Sequence, residues 1–151
     1  MQRRATHSLV KVLRVVPGFA TLDDTSLLRI VGASANLFWP ADAVVFEEGT
    51  PGEALYVVLS GEIGVFDADG GEIARIGPGD FFGEFSLLIA SSHTRTARAL
   101  ADSELLVLPK DSFEELLAAH PDLDAHVRRK VEERILPAAA TPGAQAGRRS
   151  G

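Results

Sequence analysis

Glu84 and Arg95 stand eleven positions apart in the stretch of this sequence whose residue types could do chemistry together. Residues 81–100 read Phe-Phe-Gly-Glu-Phe-Ser-Leu-Leu-Ile-Ala-Ser-Ser-His-Thr-Arg-Thr-Ala-Arg-Ala-Leu. Gly83 follows a turn-like Gly77-Pro78-Gly79-Asp80, residues 84–89 form one or two apolar helical turns, and Arg95 opens an alternating run that reads as a strand. A glycine opening a short helix leaves backbone N–H groups without intrahelical partners. Those donors and the positive helix end suit an anion, most often a phosphate, and glycine lets the backbone come close to it. An arginine returning on the next strand adds a fork of charge-assisted donors. A carboxylate at a helix start ordinarily stabilises the dipole; beside a phosphate site Glu84 could instead accept hydrogen bonds from a sugar hydroxyl. Taken singly, Arg95 reads as a strand arginine paired with a surface acid and Glu84 as a dipole carboxylate. Taken together with Gly83 and the strands on either side, they read as a small anion pocket.

Phe82-Gly83-Glu84-x-x-Leu87-Leu88 followed by Arg95-Thr96-Ala97 resembles the phosphate-binding cassette of cyclic nucleotide-binding domains. Such domains occur in the catabolite activator protein family, in regulatory subunits of cyclic-nucleotide-dependent kinases and in gated channels. The resemblance implies a ligand segment made of Phe82, Gly83, Glu84, Phe85, Ser86, Arg95 and Thr96. Glu84 would contact the ribose 2′-hydroxyl, and Arg95 and the backbone N–H groups of 83–86 the cyclic phosphate. Thr96 would contact phosphate or base. The ligand would be cAMP or cGMP, with no cofactor. The family usually places about nine or ten positions between the glutamate and the arginine, and often a Gly or Pro just before the arginine; this chain has eleven positions and neither residue.

The elements that must hold such a pocket follow from texture. Across 151 residues, 46% are apolar, 7% aromatic, and none is cysteine. One domain with an ample core is expected, without disulfides or thiolate metal sites. A formal charge of −6 makes direct binding to DNA an unexpected role. No apolar run approaches the roughly 18 residues that would span a bilayer. The basic Met1-Gln2-Arg3-Arg4 leads into a stretch broken by Lys11 and Arg14, so a secretory signal is not expected. The expected compartment is the cytoplasm.

Leu9, Val12, Leu13 and Val16 share one helical face over 8–16. A second helix follows Asp23-Asp24 and ends near Gly32. From Ala35 the chain becomes about seven or eight short strands separated by Gly/Pro turns: 36–39, 43–46, 55–59, 63–66, 72–76, 95–100 and 104–108. Asp67-Ala68-Asp69-Gly70-Gly71 is a hairpin turn. Lys110-Asp111-Ser112 caps a helix broken at His120-Pro121, and a last helix spans 122–136. Two further stretches resemble the same family: Val16-Pro17-x-Phe19-x-x-Leu22, and Glu48-Gly49-x-x-Gly52-Glu53-x-Leu55-Tyr56-Val57-Val58-x-x-Gly61-x-Ile63-x-Val65. The first packs and does not bind. In the second, Gly49, Gly52 and Gly61 serve turn geometry, and Glu53 is a solvated turn carboxylate. Asp42 stands where family members often carry glycine.

The expected fold is therefore mainly β with flanking α: a double-stranded β-helix or jelly-roll β-barrel with N-terminal helices and a C-terminal helix. A single domain covers 1–136, with its core at about 17–123, and 137–151 reads as a disordered tail. In the family the last helix lies over the base and moves on binding, which makes Arg128, Val131 and Ile135 lid candidates; an amphipathic core or dimer helix is the plainer reading. No helix-turn-helix, channel span, kinase or cyclase segment follows, so the sensor is expected to stand alone. Its partners are then a cyclic nucleotide and an effector protein or a second copy.

Enzymatic alternatives are weaker. Ser86, Ser91 and Ser92 lie near His93, but there is no Gly-x-Ser-x-Gly elbow and no third member. His93 reads as an exposed loop histidine and Arg98 as solvent-facing. His7, His93, His120 and His126 lack the clustering of a cupin metal centre. Arg3-Arg4-Ala5-Thr6 looks like a basophilic kinase site and reads better as a frayed terminus. An interaction module that keeps the fold without its ligand is the remaining alternative.

Overall fold

The strands pair into two sheets. The computed structural model describes residues 6–90 and 92–140, with side-chain environments for 8–89 and 92–133. β1 (Ala35–Trp39), β3 (Ala54–Ser60), β6 (Phe81–Phe82) and β8 (Ser103–Pro109) form one four-stranded sheet, in the order β1-β8-β3-β6. β2 (Val44–Phe46), β4 (Ile63–Phe66), β5 (Glu72–Ile76) and β7 (Thr96–Ala99) form the other, in the order β2-β7-β4-β5. All the pairings are antiparallel.

The central strands of the first sheet, β3 and β8, are nearly continuous apolar runs, the pattern of a sheet covered on both faces. Leu55, Val57 and Leu59 of β3, Leu106 and Leu108 of β8 and Phe81 of β6 join a core with the helices. The alternate residues Val58, Leu105 and Phe82, with Tyr56 and Val107 partly buried, face the other sheet. Successive strand side chains point to opposite faces, so one sheet serves two cores.

α1 (Thr6–Arg14), α2 (Asp24–Ala33), α3 (Lys110–Ala119) and α4 (Pro121–Ala140) supply the helical side of the first core. Val16, Phe19 and Leu22 are buried there. Asp23 caps α2 by accepting from the Ser26 N–H at 2.8 Å, and Arg14 of α1 pairs with Asp24. Leu123, Val127 and Val131 of α4 are buried.

The architecture is antiparallel β-sheet with flanking helices, as expected. Several local expectations are corrected. The cap of α3 is Pro109, with no side-chain bond; the Lys110 N–H is satisfied instead by the Glu53 carbonyl at 2.9 Å. The last helix runs past position 136, through Pro137, to Ala140. The reading of 137–140 as tail is thereby overturned, while 141–151 lie outside the described residues. Phe81–Phe82 is a strand too short to show a period. Asp42 adopts φ +75°, the left-handed region that Asp tolerates better than most residues.

Candidate ligand-binding site

β6 delivers the chain into the candidate site with its two rings facing opposite cores. Phe81 packs on Phe19, ring centroids 5.8 Å apart. Phe82 lies opposite Tyr56 in register and stacks on it at 5.1 Å and 14°. Gly83 then turns with φ +93°, and a Cβ there would lie 3.0 Å from Tyr56 Cδ1 and 3.1 Å from the Ala54 carbonyl. Conformation and space both demand glycine. Glu84 and Phe85 start a helical turn that continues as a π-turn over Ser86–Ala90. Its i→i+5 pattern holds one residue more per turn than an α-turn, which takes up part of the eleven-position spacing from Glu84 to Arg95.

Glu84 is 1% exposed and Ser86 2% exposed, while Phe85 is half-buried. The Ser86 hydroxyl donates to the Gly83 carbonyl at 3.0 Å. Against Ser86 lies Gly52, where a Cβ would come 2.5 Å from Ser86 Oγ. Gly52 therefore serves close approach and not only turn geometry, which corrects its sequence reading. Gly49, at φ +90° with open space around it, is a turn glycine; Gly61, also at φ +90°, serves close approach as well, because a Cβ there would lie 2.5 Å from the Asp102 carbonyl. Glu53 is exposed.

The turn before Gly52 joins the two halves of the site. The Gly49 N–H donates to the His93 carbonyl, and the His93 N–H to the Thr50 carbonyl, both at 2.8 Å. Pro51 bridges Ser92. The Glu48 N–H donates to Thr96 Oγ1 at 3.1 Å. One short turn thus holds Ser86 on one side and residues 92–96 on the other. The sequence signal for it was Gly49-x-x-Gly52, visible as a turn but not as a clamp.

Arg95 is half-buried. Its Nη1 donates to the Thr94 carbonyl at 3.1 Å. Its Nε is sealed from solvent with no hydrogen-bond partner among the described residues, and it makes no ion pair among them. His93, read as exposed, is 5% exposed. Its ring stacks on Phe46 at 3.5 Å and 4°, and burial holds its pKa below the usual imidazole range. Phe46 also packs on Tyr56 at 5.6 Å and Phe82 at 5.9 Å. Burial likewise pushes the Tyr56 hydroxyl up. Arg98, read as solvent-facing, is half-buried with its guanidinium 4.4 Å from the centroid of the Phe66 ring.

Of the lid candidates, Val131 is 3% exposed and packed into the domain, and Arg128 pairs with Asp124 one turn back on α4. The Ile135 side chain lies outside those described. The residue that ties α4 to the site is Lys130, which the sequence reading passed over. It pairs with Asp80 and sits 3.9 Å from the centroid of the Phe81 ring. Asp80 also accepts from the Phe81 N–H at 2.8 Å, so one carboxylate serves both α4 and the strand entering the site. A separate cleft of about 150 Å³ between α2 and α3, lined by Ser26, Arg29, Leu116 and His120 among others, includes no residue of 82–96. Among the described residues no group of three or more His, Asp or Glu is placed to hold a metal, and no helix is long and apolar enough to cross a membrane.

The family model of the cyclic nucleotide-binding domain matches residues 37–120. The chain belongs to the cyclic nucleotide-binding domain family. It is 33% identical over 123 residues to a cAMP-dependent protein kinase regulatory subunit of Aspergillus fumigatus, covering 81% of this chain and 29% of that one. Among solved structures, the catabolite activator protein of Thermus thermophilus superposes with a TM-score of 0.69 at 31% identity, covering 82% and 60%. The sensor domain of the transcriptional regulator DNR from Pseudomonas aeruginosa shares the fold, with a TM-score of 0.76 at 20% identity, covering 87% and 91%. The chain spans about a third of the length of such curated relatives, or less.

Proposed function

We propose that this chain is a non-catalytic, cytoplasmic sensor that binds cAMP or cGMP and signals by repositioning α4 toward an effector protein or a second copy. The observation that carries the reading is Arg95: a half-buried cation with a sealed Nε and no carboxylate partner among the described residues, next to a turn that also holds Ser86. A cyclic phosphate would be held by the Arg95 guanidinium and by backbone N–H groups after Gly83. Glu84 would take the ribose hydroxyl, with Phe82, Phe85 and Thr96 around the ligand. The Lys130–Asp80 pair supports the signalling part, because a shift in the backbone after Phe81 would be felt at α4. Ligand would act by favouring one of two α4 positions, with Arg128, Val131 and Ile135 on the moving helix.

A second reading, a ligand-free interaction module of the same fold, is favoured by the eleven-position spacing and by the Glu48 N–H already engaging Thr96 Oγ1. Thermal unfolding with cAMP or cGMP separates the two. At about 100 times Kd a ligand adds about 2.7 kcal/mol, which at about 2–4 °C per kcal/mol is a rise of roughly 5–11 °C. The sensor reading expects that rise for at least one nucleotide and its loss in Arg95→Ala. No rise with either nucleotide at millimolar concentration would retire the sensor reading in favour of the module.

A further inference from the structure

The loop before Arg95 holds no proline to restrict its backbone, yet it is firmly held. Ser92 bridges Pro51, and His93 uses both backbone groups on Gly49 and Thr50. The His93 ring, 5% exposed, lies flat on Phe46. Phe46 is in register with Ala97 across the β2–β7 pairing. Thr94 and Arg95 therefore bridge two fixed points: the His93 ring stacked on Phe46, and the start of β7, where Thr96 pairs with Phe66 and Ala97 with Phe46. Arg95 is the last residue of that bridge. A two-residue bridge with both ends held leaves its residues few backbone conformations.

We propose that His93 is a positioning residue for Arg95, its ring stacked on Phe46 to fix the loop that presents the guanidinium to the ligand. The inference rests on the ligand reading of Arg95. It assigns a task to a buried titratable group that neither the phosphate nor the ribose contacts use. What matters is the flat face of the ring. Stacked aromatic pairs are held by more than the area they bury, and an aliphatic side chain of similar size cannot reproduce the geometry.

The test compares the full chain with His93→Ala, His93→Leu and His93→Phe. Affinity for cAMP and cGMP is read by calorimetry, and backbone amide exchange at residues 94–96 is read without ligand. His93→Ala and His93→Leu are expected to weaken nucleotide binding by about tenfold and to speed exchange at 94–96, while amides of β3 and β8 stay protected. His93→Phe is expected to keep both properties near those of the native chain. Equal affinity and exchange in His93→Ala and the native chain would overturn the positioning role, as would His93→Phe behaving like His93→Ala. If the native chain binds neither nucleotide, the sensor reading falls, and exchange decides alone. Acceleration in His93→Ala restored by His93→Phe then upholds the anchor, and no acceleration overturns it.

Discussion

The two cores that share the first sheet differ in kind. The helix-side core is closed: Leu13, Phe19, Leu27, Leu55, Phe81, Phe113 and Leu123 are all essentially without exposure, and residues from all four helices cover them. The inter-sheet core has a sealed interior of Val58, Ile63, Ala97, Ala99 and Leu105, but Trp39, Val45, Phe46, Tyr56, Val65 and Val107 around it are only partly buried. The rings nearest the site, Phe46, Tyr56 and Phe82, belong to this second, more open core. The first core is the better sealed, and the second carries the rings beside the candidate site.

The largest expected difference lies between the helix-side core and the outward face of the second sheet. Phe113→Ala should cost about 3–5 kcal/mol, the range for a large side chain deleted from a packed core. Ile73→Ala, at a position 50% exposed on β5, should cost less than about 0.5 kcal/mol. Denaturant unfolding of both variants measures this, and comparable losses would mean that the outer sheet is as tightly built as the helix side.

A smaller effect sits where the helical side meets the site. Lys130→Met removes the pair with Asp80, which is 40% exposed on the Asp80 side and therefore screened. It should cost about 1 kcal/mol and speed amide exchange in α4 while sparing β4 and β7. Unchanged exchange in α4 would remove Lys130 as the link between helix and site.

The smallest effect is a pH component confined to the inter-sheet side. Burial lowers the His93 pKa, so the unfolded chain takes that proton first, near pH 6.5 for a free imidazole. The contribution is complete above that pH. It is lost as the pH falls from there toward the lower folded pKa, and levels off once the buried ring is protonated too. Unfolding midpoints between about pH 5 and pH 8 should show this component in the native chain and lack it in His93→Phe. An identical profile in both would mean that the ring titrates as it does in water.

Much of this was legible along the chain. Alternation and turn residues placed β4 at 63–66 and β5 at 72–76, as observed. Gly83 was read as the opening of a short helix where the backbone can come close to an anion; its φ of +93° adds a conformational reason for glycine that the local sequence did not carry. What was misread depended on partners far along the chain. His93 sits among Ser and Thr and looked exposed until Phe46 was found stacked on it. Gly52 looked like an ordinary turn glycine until Ser86 was found against it. Lys130 carried no signal at all without Asp80 beside it.

The sequence by itself determined most of the elements and pointed to a candidate cassette: strands from period and β-branched texture, turns from glycine and proline, and Gly83 and Arg95 at the ends of one segment. Those are properties of neighbouring residues, governed by sterics and local hydrogen bonding. Only the tertiary structure decided which strand face met the helices and which met the second sheet. Only there does the Glu48–Gly52 backbone hold both Ser86 and residues 92–96, the His93 ring lie on Phe46, and α4 reach Asp80. Each of these is a contact between residues far apart in the chain, set by how sheets and helices pack and not by the local preference of either partner.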